Sequence, residues 1–205
     1  MDTQSWKSQN NDIINEAGEL VCIKPFPSMP IGFLNDKDDE KYKKAYFTKY
    51  SNVWHHGDFV IKTSRKTFIV EGRSDATLNP GGIRIGTAEI YRHVENHEKV
   101  KEALAVGQDW EGDQRIILYL ILKEGILLDN ELNIEIKSLL RQKASPRHVP
   151  SKIFQVVDFP RTRSGKISEL AVKDIIHGKE IKNTEALINP EILNNFRDFK
   201  DLFEK

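Results

Sequence analysis

Apolar positions along the chain come in short runs with two different periods. Gly18-Glu19-Leu20-Val21-Cys22-Ile23 predicts a strand ended by Pro25. Pro25, Pro27 and Pro30 fix φ and remove backbone donors, so an extended connector should follow. Residues 1–17 are polar and show no period, which predicts an unpaired lead-in. The charge run 36–44 reads as a solvated loop or helix face. Residues 53–61 and 67–71 predict two strands, with Thr63-Ser64-Arg65-Lys66 turning between them.

After Gly72 the texture changes. Glu89, Ile90, Val94 and the residues on to Ala103 predict an amphipathic helix. Ala105-Val106 and residues 116–122 predict strands separated by the turn QDWEGD. Leu132, Ile136, Leu139 and Leu140 mark another helix, with Asp129 or Asn130 as its cap. Ile153, Phe154, Val156 and Val157 predict a further strand, closed by Phe159-Pro160. Ile167, Leu170, Ala171, Ile175 and Ile176 have helical spacing, and residues 190–203 predict a short closing helix. The fold class expected is α+β: a β-rich stretch, 1–74, followed by a small sheet with packed helices, 75–205.

Composition narrows the function classes. The chain has 205 residues, 39% hydrophobic, which suits one or two ordinary domains with a real core. Thirty-one basic and 31 acidic side chains give zero net charge, which argues against a nucleic-acid binder. No apolar run approaches the roughly 20 residues that span a bilayer, and MDTQSWKSQNND has no signal-peptide core, so no membrane role is expected. The single cysteine, Cys22, cannot form an internal disulfide and reads as a core residue. A reducing cytoplasm is the expected setting, and no metal ligand set is expected in the chain.

Three stretches carry chemistry. FPRTRSGKIS, 159–168, places Arg161, Arg163 and Lys166 on a loop between a strand and a helix, where backbone N–H groups and cations can converge on an anion. Left to itself, the same composition makes a solvated basic turn. HHGD, 55–58, puts Asp58 after a glycine at a strand start; it can cap that end or chelate the two hydroxyls of a ribose. GRSDATLNPGGIRIG, 72–86, combines glycines that allow close backbone approach with Arg73 and Arg84, forked donors suited to phosphate or ribose oxygens. It does not follow the dinucleotide pattern, and the basic loop fails as a Walker A sequence because Ile167 stands where Ser or Thr is required.

Taken in order, these stretches resemble the C-terminal third of the adenylate-forming acyl-CoA synthetases. WHHGDF, GRSDATLNPGGIRIGTAEIYRHVE, SPRHVP, PRTRSGKI and KNTEALINPE are similar, within that superfamily, to the acetoacetyl-CoA synthetases. The resemblance runs from about Gly18 to the C-terminus. It implies a mobile C-terminal domain, 75–205, carrying a catalytic lysine loop, preceded by 1–74 as the β-rich tail of a large AMP-binding domain. It implies ATP, CoA and acetoacetate as substrates, with Mg²⁺ held by the large domain. Lys166 would be the lysine used in adenylate formation. Asp58 would bind the ATP ribose with Arg73 assisting, and Asp75 would be the hinge between two half-reactions. Gly82 would line the pantetheine tunnel, Arg84 would meet phosphate, and Arg141, with Arg147 as a weaker candidate, would contact the CoA nucleotide.

The family's phosphate loop, acyl pocket and Mg²⁺-binding acid have no match here, so the expectation is of a fragment whose missing AMP-binding domain is supplied in cis or trans. The alternatives are an inactive docking module and a ligase for another short acyl acid.

Overall fold

The run IILYLIL settles the architecture of the second half. The computed structural model describes residues 1–181, 184–197 and 199–203. The chain divides into two compact units, Met1–Asp75 and Ala76–Lys205. In the second, strand β6, Asp113–Leu122, is central in a three-stranded sheet and buries side chains on both faces. Ile117, Tyr119 and Ile121 point to one face, while Ile116, Leu118, Leu120 and Leu122 point to the other. A strand covered on both sides reads as a continuous apolar run and not as an alternation.

Its neighbours are β5, Val100–Trp110, which pairs antiparallel, and β7, Lys152–Gln155, which pairs parallel. The parallel pair needs a crossover, supplied by α3, Asn130–Lys143. Helix α3 is capped by the Asp129 side chain, which accepts from the Leu132 amide at 2.8 Å, and it buries Leu132, Ile136 and Leu140. Helix α2, Thr87–Val94, packs on the same face through Ile90 and Val94. The opposite face takes α4, Glu169–Ile176, together with Leu193 and Phe196 of a 3-10 segment, Pro190–Phe196.

Two expectations change in this unit. The helix predicted to run on to Ala103 ends at Val94, and Val100 to Ala103 belong to β5. Glu-Lys-Val-Lys-Glu-Ala has helical composition, but the ladder that pairs Val100 with Leu122 and Ala103 with Leu120 overrides it. The turn predicted over QDWEGD shrinks to Glu111-Gly112, both at positive φ (50° and 82°) as a tight two-residue hairpin requires. Gln108, Asp109, Trp110 and Asp113 are ladder residues, and the Arg115 guanidinium lies 3.6 Å over the Trp110 ring. The closing helix is instead two 3-10 segments, Pro190–Phe196 and Lys200–Phe203; Asp198 between them lies outside the described residues, as do Lys182 and Asn183 of KNTEALINPE.

The first unit is a four-stranded antiparallel sheet in chain order: β1, Thr3–Trp6; β2, Ala17–Cys22; β3, Trp54–Lys62; β4, Phe68–Arg73. The expected unpaired lead-in is corrected by β1, which runs along β2 and buries Ser5 and Trp6. Four residues are too few to show a period, and one buried tryptophan outweighs polar neighbours. Trp6, Val21 and Tyr50 form the small core. The charge run becomes α1, Glu40–Tyr46, with no buried residue, whose Tyr46 stacks 3.7 Å from Trp54. The architecture is α+β, with sheets and packed helices. Among the described residues, no helix is long and apolar enough to cross a membrane.

Candidate functional site

The basic loop is a small, well-anchored hairpin. Arg161 bridges to Ile167, the Thr162 amide donates to the Lys166 carbonyl at 2.8 Å, and the Gly165 amide donates to the Thr162 carbonyl at 2.8 Å. Gly165, at φ 81°, supplies the left-handed position that the bend needs. The outer arm pairs with the segment after α4: Arg163 N–H donates to Ala186, and Ile188 N–H donates to Arg161. Backbone amides expected to face an anion are thus largely used in closing the hairpin and in holding it to residues 186–189.

The three cations also part company. Arg161 turns inward, donating from Nη2 to Glu102 at 2.6 Å and from Nε to Asp158 at 3.4 Å. The Glu102 hydrogen bond and both carboxylate charges outweigh its desolvation and raise its pKa further. Arg163 donates to the Glu185 carbonyl at 3.4 Å. Lys166 is exposed at the hairpin's end, and its ammonium makes no hydrogen bond or ion pair among the described residues. The far side of the hairpin is held as well: Glu169, at the start of α4, accepts from the hydroxyl of Tyr91, which itself accepts from the Ala105 amide.

In the first unit the structure brings Asp58, Arg73 and Asp75 together. Asp58 and Arg73 are cross-strand partners. Arg73 donates at 3.4 Å to Asp58, to Asp75 and to the His56 carbonyl. Its guanidinium lies over Gly57, where φ is 84° and a Cβ would come within 2.7 Å of Nη2. Burial disfavours the Arg73 charge, but the hydrogen bonds and charges of Asp75 and Asp58 raise its pKa overall. A cleft of about 580 Å³ opens beside it, lined in part by Tyr46, Trp54, His56, Arg73 and Asp75.

Beneath this cluster lies a carboxylate that the sequence did not single out. Glu19 on β2 is 2% exposed. It receives Lys49, the Ser74 hydroxyl and, at 3.0 Å, His55 Nε2. Burial pushes its pKa up, but the hydrogen bonds from His55, Lys49 and Ser74 and the Lys49 charge win and hold it at about 2. Ser74 sits between Arg73 and Asp75, so this buried anion fixes the backbone that presents both.

The glycine stretch folds back through the Leu78–Ile85 bridge, with Pro80–Gly82 as a 3-10 turn. The Gly81 amide donates to both carboxylate oxygens of Asp113 at 3.0 Å, and the Arg147 guanidinium packs against the Gly81 α-carbon. Gly82, at φ 75°, has open space where a side chain would stand. Arg84 is exposed next to that turn. Arg141 is exposed in the last turn of α3, and no hydrogen bond or ion pair joins it to Lys166 among the described residues. Glu89 of TAEI and His148 of SPRH meet at 3.0 Å, while Glu89 also accepts from the Gly86 amide at 3.0 Å. The His148 hydrogen bond outweighs the effect of burial and holds the Glu89 carboxyl below its ordinary pKa.

Residues 92–166 match the family model described as AMP-binding enzyme C-terminal domain. Acetoacetyl-coenzyme A synthetase of Rhizobium meliloti (strain 1021) is 54% identical over 96% of this chain, which covers 30% of that protein. Acetoacetyl-CoA synthetase of Caenorhabditis elegans is 46% identical over 98% of the chain, covering 29% of that protein. The chain is homologous to the C-terminal portion of the acetoacetyl-CoA synthetases. The solved acetoacetyl-CoA synthetase from Streptomyces lividans superposes with a TM-score of 0.89 at 37% identity, over 96% of this chain and 30% of that one. The chain therefore spans about a third of the length of the curated relatives it matches.

In this acetoacetyl-CoA synthetase homologue some motif residues serve the fold. Glu89 and His148 lie inside motifs yet bond each other. Asp158, Glu102 and Asn189 hold the lysine hairpin; the first two lie outside the motifs, and Asn189 lies within KNTEALINPE, where nothing in the sequence links it to the hairpin. The signal that could have found them is chemical: Arg161, half-buried beside a sheet, needs a carboxylate partner. Among the described residues, no group of three or more His, Cys, Asp or Glu could hold a metal ion.

Proposed function

We propose that the chain is the C-terminal part of an acetoacetate–CoA ligase, working with an AMP-binding domain in cis or trans. The reaction has two halves. The acetoacetate carboxylate attacks the α-phosphorus of ATP and pyrophosphate leaves; the CoA thiol then attacks the acyl-adenylate and AMP leaves. The observation that carries this reading is the 54% identity, spread over 96% of the chain, to an acetoacetyl-CoA synthetase.

Lys166 acts in the first half. Bringing a carboxylate to a phosphate gathers anions, and an unpaired ammonium on a rigid hairpin stabilises the charge that passes between them. Having no carboxylate partner among the described residues, it has none to give up on binding. Asp58 accepts from the ribose hydroxyls and Arg73 assists, while Asp75 is the hinge that carries the lysine away before the thiol enters. Gly82 leaves room for the pantetheine arm, Arg84 meets phosphate, and Arg141 contacts the CoA nucleotide, with Arg147 beside Gly81 as a further candidate. The donor set of this chain suits ATP and CoA as substrates; Mg²⁺ would be held by residues of the AMP-binding domain, neutralising the triphosphate.

The test is co-expression with the N-terminal part of an acetoacetyl-CoA synthetase. Acetoacetate-dependent pyrophosphate release that requires both pieces is the expected result. A stable complex of the two that releases none overturns the reading.

A further inference from the structure

Asn189 spends its whole amide on the base of the lysine hairpin. Its Oδ1 accepts from the Arg161 amide at 2.9 Å, and its Nδ2 donates to Asp158 Oδ2 at 3.1 Å and to the Phe159 carbonyl at 2.9 Å. Asp158 in turn receives the Phe159 amide at 2.7 Å and the Arg161 guanidinium at 3.4 Å. Arg161 closes the ring onto Glu102 of β5 at 2.6 Å. One side chain thereby joins the entry to the hairpin, the aspartate that steadies Arg161, and the segment that pairs with the hairpin's outer arm through Thr162 and Leu187. Three satisfied hydrogen bonds from one planar amide fix position more tightly than they add stability, because no torsion remains that keeps all three.

We propose that Asn189 is a positioning residue for Lys166: from the segment beyond α4 it sets where the hairpin stands, and so where the ammonium points. This rests on the reading of Lys166 as the adenylation lysine. A lysine without side-chain partners takes its placement from its backbone, and an ångström lost at the base moves the charge off the reacting oxygens.

In this chain, Asn189→Ala should speed amide exchange at Arg161, Arg163 and Ile188 about tenfold while β5 and β6 keep their protection. In the longer protein that carries it, the substitution should lower kcat for acetoacetate-dependent pyrophosphate exchange about tenfold at unchanged KM for ATP. Thioester formation from preformed acetoacetyl-adenylate should stay within about twofold. Asn189→Asp, which keeps the acceptor for Arg161 and loses both donors, should act in the same direction and serves if the alanine variant does not fold. Asp158→Asn combined with Asn189→Asp trades donor and acceptor across the pair and should recover part of the loss. Unchanged exchange in the hairpin overturns the proposal, and so does a loosened hairpin with unchanged kcat. If Lys166→Ala leaves adenylate formation intact, the role proposed for Lys166 fails and the positioning role of Asn189 falls with it; if Lys166→Ala abolishes it and Asn189→Ala does not slow it, only the positioning role is lost.

Discussion

Arg73 and Lys166 are both exposed cations beside a glycine, and they are prepared in opposite ways. Arg73 stands among Asp58, Asp75 and the His56 carbonyl, with its charge already answered. Lys166 has no such partner among the described residues, while the neighbouring Arg161 is bound to two carboxylates. An answered cation holds local structure and must exchange partners to meet a ligand. An unanswered one is available, and its cost is met by ordering the backbone around it. The same contrast runs through the units that carry them. The sheet around β6 is covered on both faces, whereas edge strand β4 leaves Ile69 and Val70 at 43% and 56% exposed.

The largest expected effect belongs to the unanswered cation. Lys166→Ala in the longer protein should lower acetoacetate-dependent pyrophosphate exchange by a hundredfold or more, about 3 kcal/mol. Acetylating the amine should act alike, because it removes the charge. On the other side of the comparison, Glu19 ties the Arg73 segment down through Ser74. Its pKa is depressed from 4.5 to about 2, so its contribution is complete above 4.5 and lost as pH falls toward 2. Acid titration followed by Trp6 and Trp54 fluorescence should show the first unit losing on the order of 3 kcal/mol across that window, with Glu19→Gln removing the pH dependence. Arg161→Ala should cost about 1–2 kcal/mol by taking the guanidinium from Glu102 and one of several donors from Asp158, and should expose the Lys166 bond to trypsin. Smallest is Tyr119→Phe. The buried Tyr119 hydroxyl has no partner among the described residues, so thermal unfolding should be unchanged or shifted upward by about 1 kcal/mol.

Much of this comparison was legible in the residues. Leu132, Ile136 and Leu140 gave α3 because a helix buried on one face repeats every three to four positions. Ser164-Gly165 placed a bend at Lys166. What failed was of two kinds. Val100 to Ala103 looked helical because local propensity says nothing about a partner strand fifteen or more residues away. Arg161 looked like one of three equivalent loop cations, because sequence shows charge but not which carboxylate folds against it. The roles proposed for Gly82 and Arg141 rest on resemblance alone, whereas an acid after a glycine and a forked donor in a glycine stretch already pointed Asp58 and Arg84 toward ribose and phosphate oxygens.

The most direct measurement gives the Lys166→Ala protein preformed acetoacetyl-adenylate and CoA and follows thioester formation in a single turnover. If the lysine's charge serves only the attack on the α-phosphate, the rate should stay within about threefold of the unsubstituted protein while adenylate formation collapses. Equal slowing of both half-reactions, or of neither, would contradict the account.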